Sequence, residues 1–150
     1  MKKRAKTTPK RVTRIEPKPA RAAQPPRETN KEAQKMALLV AEAGLDKKAA
    51  EVEIIDVTGK VDYADYLVLM TGTSDRHVSS IAESVDSSLA KKGYRSISVE
   101  GLPRGEWVLI DFVDVVVHVF QDRLRALYDL DGLWMDARRL NVPEASSGGS

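Results

Sequence analysis

The residues with the most chemical potential lie between Asp65 and His77, in the stretch DYLVLMTGTSDRH. An apolar run, Tyr66 to Met70, leads into Thr71-Gly72-Thr73-Ser74 and then into a charged segment that reads as a helix start. A helix N-terminus offers unpaired N–H groups, which Thr73 or Ser74 can cap, and such a turn can hold a phosphate or a carboxylate. A Ser-His-Asp triad can be written from Ser74, His77 and Asp75, but all three fall within one helical turn. Triads draw their members from separate elements, and the nucleophile-elbow pattern is absent. Capping explains Ser74 and Asp75 more simply. No metal site is expected either. His77 and His118 are the only histidines and are not at ligand spacing, while Asp111 and Asp114 bracket a short connection where aspartate is ordinary turn chemistry.

Phosphate chemistry has the better claim on the turn. Thr71, Gly72, Thr73 and Ser74 resemble the Gly-Ser turn that opens a helix in nucleotidyltransferases. Those enzymes need closely spaced carboxylates on the next strand to hold magnesium against the nucleotide. Here the next strand, SISVEG, offers only Glu100. The turn stands without its metal-binding pair, so no cofactor is expected.

The elements that position this turn follow from periodicity. Ala33, Met36, Ala37, Val40 and Ala43 recur at helical spacing with Gly44 after them, predicting a helix from about Thr29 to Ala43. Val52–Val57 and Tyr66–Met70 read as strands, the second apolar on both faces. Val78, Ile81, Ala82, Val85 and Leu89 mark a second helix, ended by Lys91, Lys92 and Gly93. Ser96–Val99 is a short strand. Glu106–Phe112 and Val115–Phe120, joined by Val113-Asp114, read as an antiparallel hairpin. A last helical region carries Leu124, Leu127, Tyr128, Leu133 and Trp134. The order αββαβββα implies an α/β (α+β) domain with a mixed five-stranded sheet flanked by helices.

Alternation within the hairpin separates two faces. Val115, Val117 and Val119 look like core, whereas Trp107 and Asp111 on one strand, and His118 and Phe120 on the next, mix aromatic and polar groups. That mixture suits a protein interface, where aromatic anchors carry much of the binding energy. Trp107 fits the core equally well.

Composition sets the outer bounds. The 150 residues suggest one domain with tails, and the lack of cysteine excludes disulfides and thiolate zinc sites. No apolar run approaches the ~20 residues that span a bilayer. Residues 1–30 hold ten Lys or Arg against Glu16 and Glu28, a local charge of +8, and five of the seven prolines. The remaining residues hold 14 Lys or Arg against 20 Asp or Glu, a charge of −6. The chain reads as a disordered, Pro-rich basic arm (1–30), an acidic domain (31–140) and a disordered polar tail (141–150). An arm of clustered cations suits contact with RNA phosphates, and a general RNA-binding protein acting through it is one alternative reading. A nucleotide-binding or nucleotidyltransferase-like enzyme using the Gly72 turn is another.

Four segments in series, DYLVLMTGTSDRHV, SVEG, EWVLIDFVDVVVHVF and LYDLDGLW, together resemble the ribosomal silencing factor family, also called Iojap-like proteins. They span roughly Asp46 to Trp134. The resemblance implies a nucleotidyltransferase-like topology without enzymatic activity. It also implies binding to the large ribosomal subunit through its universal protein fourteen, a steric block on joining of the small subunit, and repression of translation when nutrients are scarce. It implies a cytoplasmic protein in bacteria and leaves a homodimer open. Trp107 matches the tryptophan of the family's partner-binding surface. Asp111, His118, Phe120 and Tyr128 extend that surface by strand face and proximity. Thr71, Gly72, Thr73, Ser74, Arg76 and His77 match the family's helix-start signature, with Thr73 expected to cap the helix and with Arg76 and His77 expected to pair with carboxylates. The basic arm is expected to touch ribosomal RNA beside the docking site.

Overall fold

The computed structural model of the chain describes residues 30–142. The expectations for the arm and the tail therefore lie, apart from their border residues, outside the described residues. Helix α1 (Lys31–Asp46) starts from Asn30, whose side chain accepts the Ala33 N–H at 3.0 Å. The same side chain donates to Asp65 and Asp114, so the cap also ties α1 to the sheet. The helix runs past Ala43, where the sequence suggested a stop. Gly44 is helical and serves close packing instead, since a Cβ there would sit 2.1 Å from the Met70 sulfur.

The chain continues through β1 (Ala50–Asp56), β2 (Tyr66–Gly72), helix α2 (Asp75–Lys91), β3 (Ser98–Glu100), β4 (Trp107–Asp111) and β5 (Val115–Gln121). Two short helices, α3 (Asp122–Tyr128) and α4 (Leu130–Leu133), precede β6 (Arg138–Leu140). The sheet order is β3-β4-β5-β2-β1-β6, with β2 and β5 parallel at the centre and the other pairs antiparallel. The sheet is mixed, as the sequence implied, but has six strands rather than five. The sixth, Arg-Arg-Leu, is too short to show alternation. Its arginines reach acids on β1, Arg138 to Asp56 at 2.9 Å and Arg139 to Glu53 at 3.0 Å. Burial pushes the Asp56 carboxyl up, but the bonds from Arg138 and the Thr58 N–H outweigh it and hold it below the usual range.

The sheet has two unlike sides. Ile54, Tyr66, Val68, Met70, Ile110, Val117 and Val119 form a core with α1 and α2, the apolar stripes of which supply Val40, Val78, Ile81, Val85 and Leu89. On the opposite side Ile55, Leu67, Leu69, Trp107, Leu109, Val116 and Phe120 pack with Leu130, Trp134 and Ala137 from the C-terminal segment. The final helical region is thus a cover for the second face. It breaks at Asp129, which adopts φ 49° and whose side chain accepts the Gly132 N–H, so one helical period cannot run through it.

The β4–β5 connection holds backbone strain. Val113 has φ 78°, and a bond from the Asp114 N–H to the Phe112 carbonyl at 3.0 Å closes a three-residue turn around it. A β-branched residue is costly in this conformation, and the half-exposed Val113 side chain has little packing to lose. Val113→Gly should raise stability by about 1 kcal/mol. A melting temperature that stays level or falls would show that the tip is not strained.

Candidate functional site

The turn after β2 is built by local bonds. Ser74, in an extended conformation, caps α2 by accepting the His77 N–H at 3.0 Å. Ser74 rather than Thr73 is therefore the cap. The Thr73 N–H instead donates to His77 Nδ1 at 2.9 Å, and His77 Nε2 lies 2.7 Å from the Lys47 carbonyl. A carbonyl only accepts, so Nε2 carries the proton and Nδ1 is bare; both bonds require the same tautomer. His77 thus pairs with backbone groups on two turns and not with a carboxylate. Arg76 stands exposed beside it. Gly72 is fixed by space, since a Cβ would lie 2.8 Å from Val78 Cγ2 and 3.0 Å from its backbone nitrogen. The Asp75 carboxylate accepts a bond from the Gln121 amide at the end of β5.

Thr71 points into a second network that the sequence reading missed. The Arg125 guanidinium, buried on α3, donates to Thr71 Oγ1 at 3.0 Å and to the Glu51 carbonyl. Its Nε and Nη2 grip both oxygens of Asp131 at 2.9 and 2.8 Å. The Phe120 ring lies beneath it, 5.9 Å from Cζ. One side chain so binds α3, α4, β1 and β2 together. Its signal in the sequence is faint: an arginine one residue after Leu124, in the pattern of any amphipathic helix. Among the described residues no group of three or more His, Cys, Asp or Glu is placed to hold a metal ion.

The aromatic set is brought together by strand register. Trp107 faces Phe120 and Leu109 faces His118 across the β4–β5 pair. The Trp107 indole N–H donates to His118 Nδ1 at 3.1 Å. Its ring centroid lies 5.3 Å from Phe120 and 4.9 Å from Tyr128. Trp107 is only 6% exposed, and His118 and Phe120 are fully buried. These three are interior residues of the described fold, with Tyr128 of the C-terminal cover against the indole. Their aromatic and polar mixture includes one buried bond, from the indole N–H to an imidazole nitrogen. Tyr128, 38% exposed, and the partly exposed Asp111 do reach the surface, although Asp111 also holds the Val113 N–H at 2.8 Å. Leu127 and Leu133 are exposed, and the helical region breaks between them at Asp129.

Fold and site together define an α/β domain with a mixed six-stranded sheet, two long helices on one face and a short helical cover on the other. Residues 30–149 match the family model described as ribosomal silencing factor during starvation. The chain is 39% identical over 105 residues to the ribosomal silencing factor of Bacillus subtilis, covering 69% of this chain and 89% of that protein. It is 38% identical over 97 residues to that of Zymomonas mobilis, covering 64% of this chain and 72% of the relative. A crystal structure of a Chromobacterium violaceum protein superposes with a TM-score of 0.68 at 32% identity, over 79% of this chain and 98% of that one. The chain belongs to the ribosomal silencing factor family, and translation regulation follows from that membership.

Proposed function

We propose that this protein binds the large ribosomal subunit through its universal protein fourteen, sterically blocks joining of the small subunit and lowers translation under nutrient limitation. The observation that carries this reading is the family match, which runs through the whole described fold from the cap of α1 to β6. Charge supports it. Ribosomal proteins are mostly basic, so a domain with an excess of acid is drawn to one and repelled by bare RNA. The helix-start turn supports a non-enzymatic role, since Ser74, Thr73 and His77 are engaged with one another. The protein acts in the cytoplasm, and no described helix is long and apolar enough to cross a membrane. Residues 1–29 add an electrostatic contact to ribosomal RNA beside the docking site.

Sedimentation with separated ribosomal subunits in magnesium buffer tests both parts. The full chain should pellet with large subunits and leave small subunits clear. A chain lacking residues 1–29 should still pellet selectively, but with weaker binding and a flatter dependence on salt. Equal binding to both subunits would reject the docking reading, and an unchanged salt slope would reject the role of the arm.

A further inference from the structure

The C-terminal cover, residues 122–137, is joined to the sheet unevenly. Leu130, Trp134 and Ala137 enter the second core, with Leu124 partly buried beside them. Leu127 and Met135, by contrast, are 71% and 77% exposed. Helices of seven and four residues are too short to hold themselves, so the cover depends on what binds it from outside. Two arginines supply much of that binding. Arg125, inside the cover, reaches Thr71 and the Glu51 carbonyl on the sheet. Arg139, on β6, takes the Glu53 carboxylate at 3.0 Å and donates to the carbonyls of Asp131, Trp134 and Ala137. Both arginines thus anchor on β1, and at an irregular stretch of it. The β1–β2 register shifts between Ala50 and Glu53, and Glu51 there has φ 51°.

We propose that the cover is a hinged unit, latched to the irregular stretch of β1 by Arg125 and Arg139, which opens and closes while the sheet and the two long helices stay folded. Its ends suit this. At the near end Gln121 makes no side-chain cap to α3 and is bound to Asp75 instead, so it stays with the sheet when α3 departs. At the far end β6 stays on β1, where Arg138 is bound to Asp56. Opening returns the Arg125 guanidinium to water. It also relieves the Trp134 indole N–H, which is buried with no acceptor among the described residues. The opposing cost is exposure of Trp107, Leu109, Val116 and Phe120, which keeps the closed form dominant. The core of α1 and α2 contains no residue of the cover, so it is untouched by the movement. A segment with so separable a set of contacts opens at a lower free energy than global unfolding. The proposal does not depend on the ribosomal reading.

Hydrogen exchange of the full chain, followed by NMR amide by amide, tests it. The Asp129, Trp134 and Ala137 amides are bonded within the cover. In the wild type they should exchange faster than the amides of β2 and β5 by about tenfold or more, with a weaker dependence on denaturant. Ile81→Val loosens the core of α1 and α2, which the open form keeps. It should speed β2 and β5 by about threefold or more and leave the cover amides at their wild-type rates. Arg139→Gln removes half of the latch and should speed the cover amides by about tenfold or more. Arg138→Gln, one residue away, should leave them unchanged. Equal wild-type rates for cover and sheet, or a cover that speeds with Ile81→Val as the sheet does, would show one cooperative unit and overturn the hinge. Cover rates unmoved by Arg139→Gln, or moved as far by Arg138→Gln, would overturn the latch. Should Arg139→Gln fail to fold, Arg139→Lys, which keeps the charge and loses the forked geometry, replaces it, with a threefold or greater rise expected and no change overturning the latch.

Discussion

Replacing Trp107 with alanine is expected to lower stability by about 3–5 kcal/mol, the usual loss for truncating a buried aromatic. The indole centroid lies 4.9–5.9 Å from the Tyr128, Phe120 and His118 ring centroids, and its N–H donates to His118 Nδ1. Alanine would leave a cavity under the C-terminal cover and strip a buried imidazole of that donor. In a domain of this size the melting temperature should fall by about 10 °C or more. Trp107→Phe should restore most of the packing and none of the hydrogen bond, at a cost nearer 1–2 kcal/mol. Any loss of subunit binding should then follow the loss of folded protein. A Trp107→Ala protein with wild-type melting but no subunit binding would instead place the indole at the interface.

Asp131→Asn is expected to cost about 3 kcal/mol, the lower end of the range for stripping one partner from a buried ion pair, since Asp131 itself is partly exposed. The amide keeps the shape but leaves the buried Arg125 charge without its counter-ion. Acid should have a related effect. The bonds from Arg125 hold the Asp131 carboxyl below its usual range, against burial pushing it up. A carboxyl depressed in the folded state contributes stability above its unfolded value, near 3.8, and loses it as pH falls through the folded value. Wild-type stability should therefore drop on acidification below about pH 4, and Asp131→Asn should show a shallower drop. Asp56, also held low by Arg138, accounts for part of the slope that remains. Equal acid slopes in the two proteins would sink the account.

Much of this fold could be read from residue pattern because the pattern had one cause at a time. The stripe Val78, Ile81, Val85, Leu89 is apolar on one side only, and the α2 it predicted is there. Tyr66–Met70 is apolar throughout because β2 lies at the sheet centre with both faces covered. The misreadings arose where two causes compete. Gly44 looked like a helix stop but is a packing contact, and both uses favour glycine. The final helical region looked continuous because a period cannot register the left-handed break at Asp129. Trp107, His118 and Phe120 read as a mixed aromatic and polar face, and no local pattern can say that the indole N–H meets an imidazole nitrogen across two strands. Arg125 escaped notice because its partners, Glu51, Thr71 and Asp131, are scattered along the chain.

The parallel pairing of β2 with β5 has a bearing on how the chain is made. The two strands at the middle of the sheet are separated by α2, β3 and β4, so β2 emerges with β1 on one side and nothing on the other. Its bare edge, Leu67-Val68-Leu69-Met70, stays open until Val115 to Gln121 has been added. Unpaired apolar edges of this kind seek other strands and lead to aggregation. A chain truncated or stalled before Val115 is thus an adhesive fragment, whereas a few residues more allow the sheet to close over its own centre.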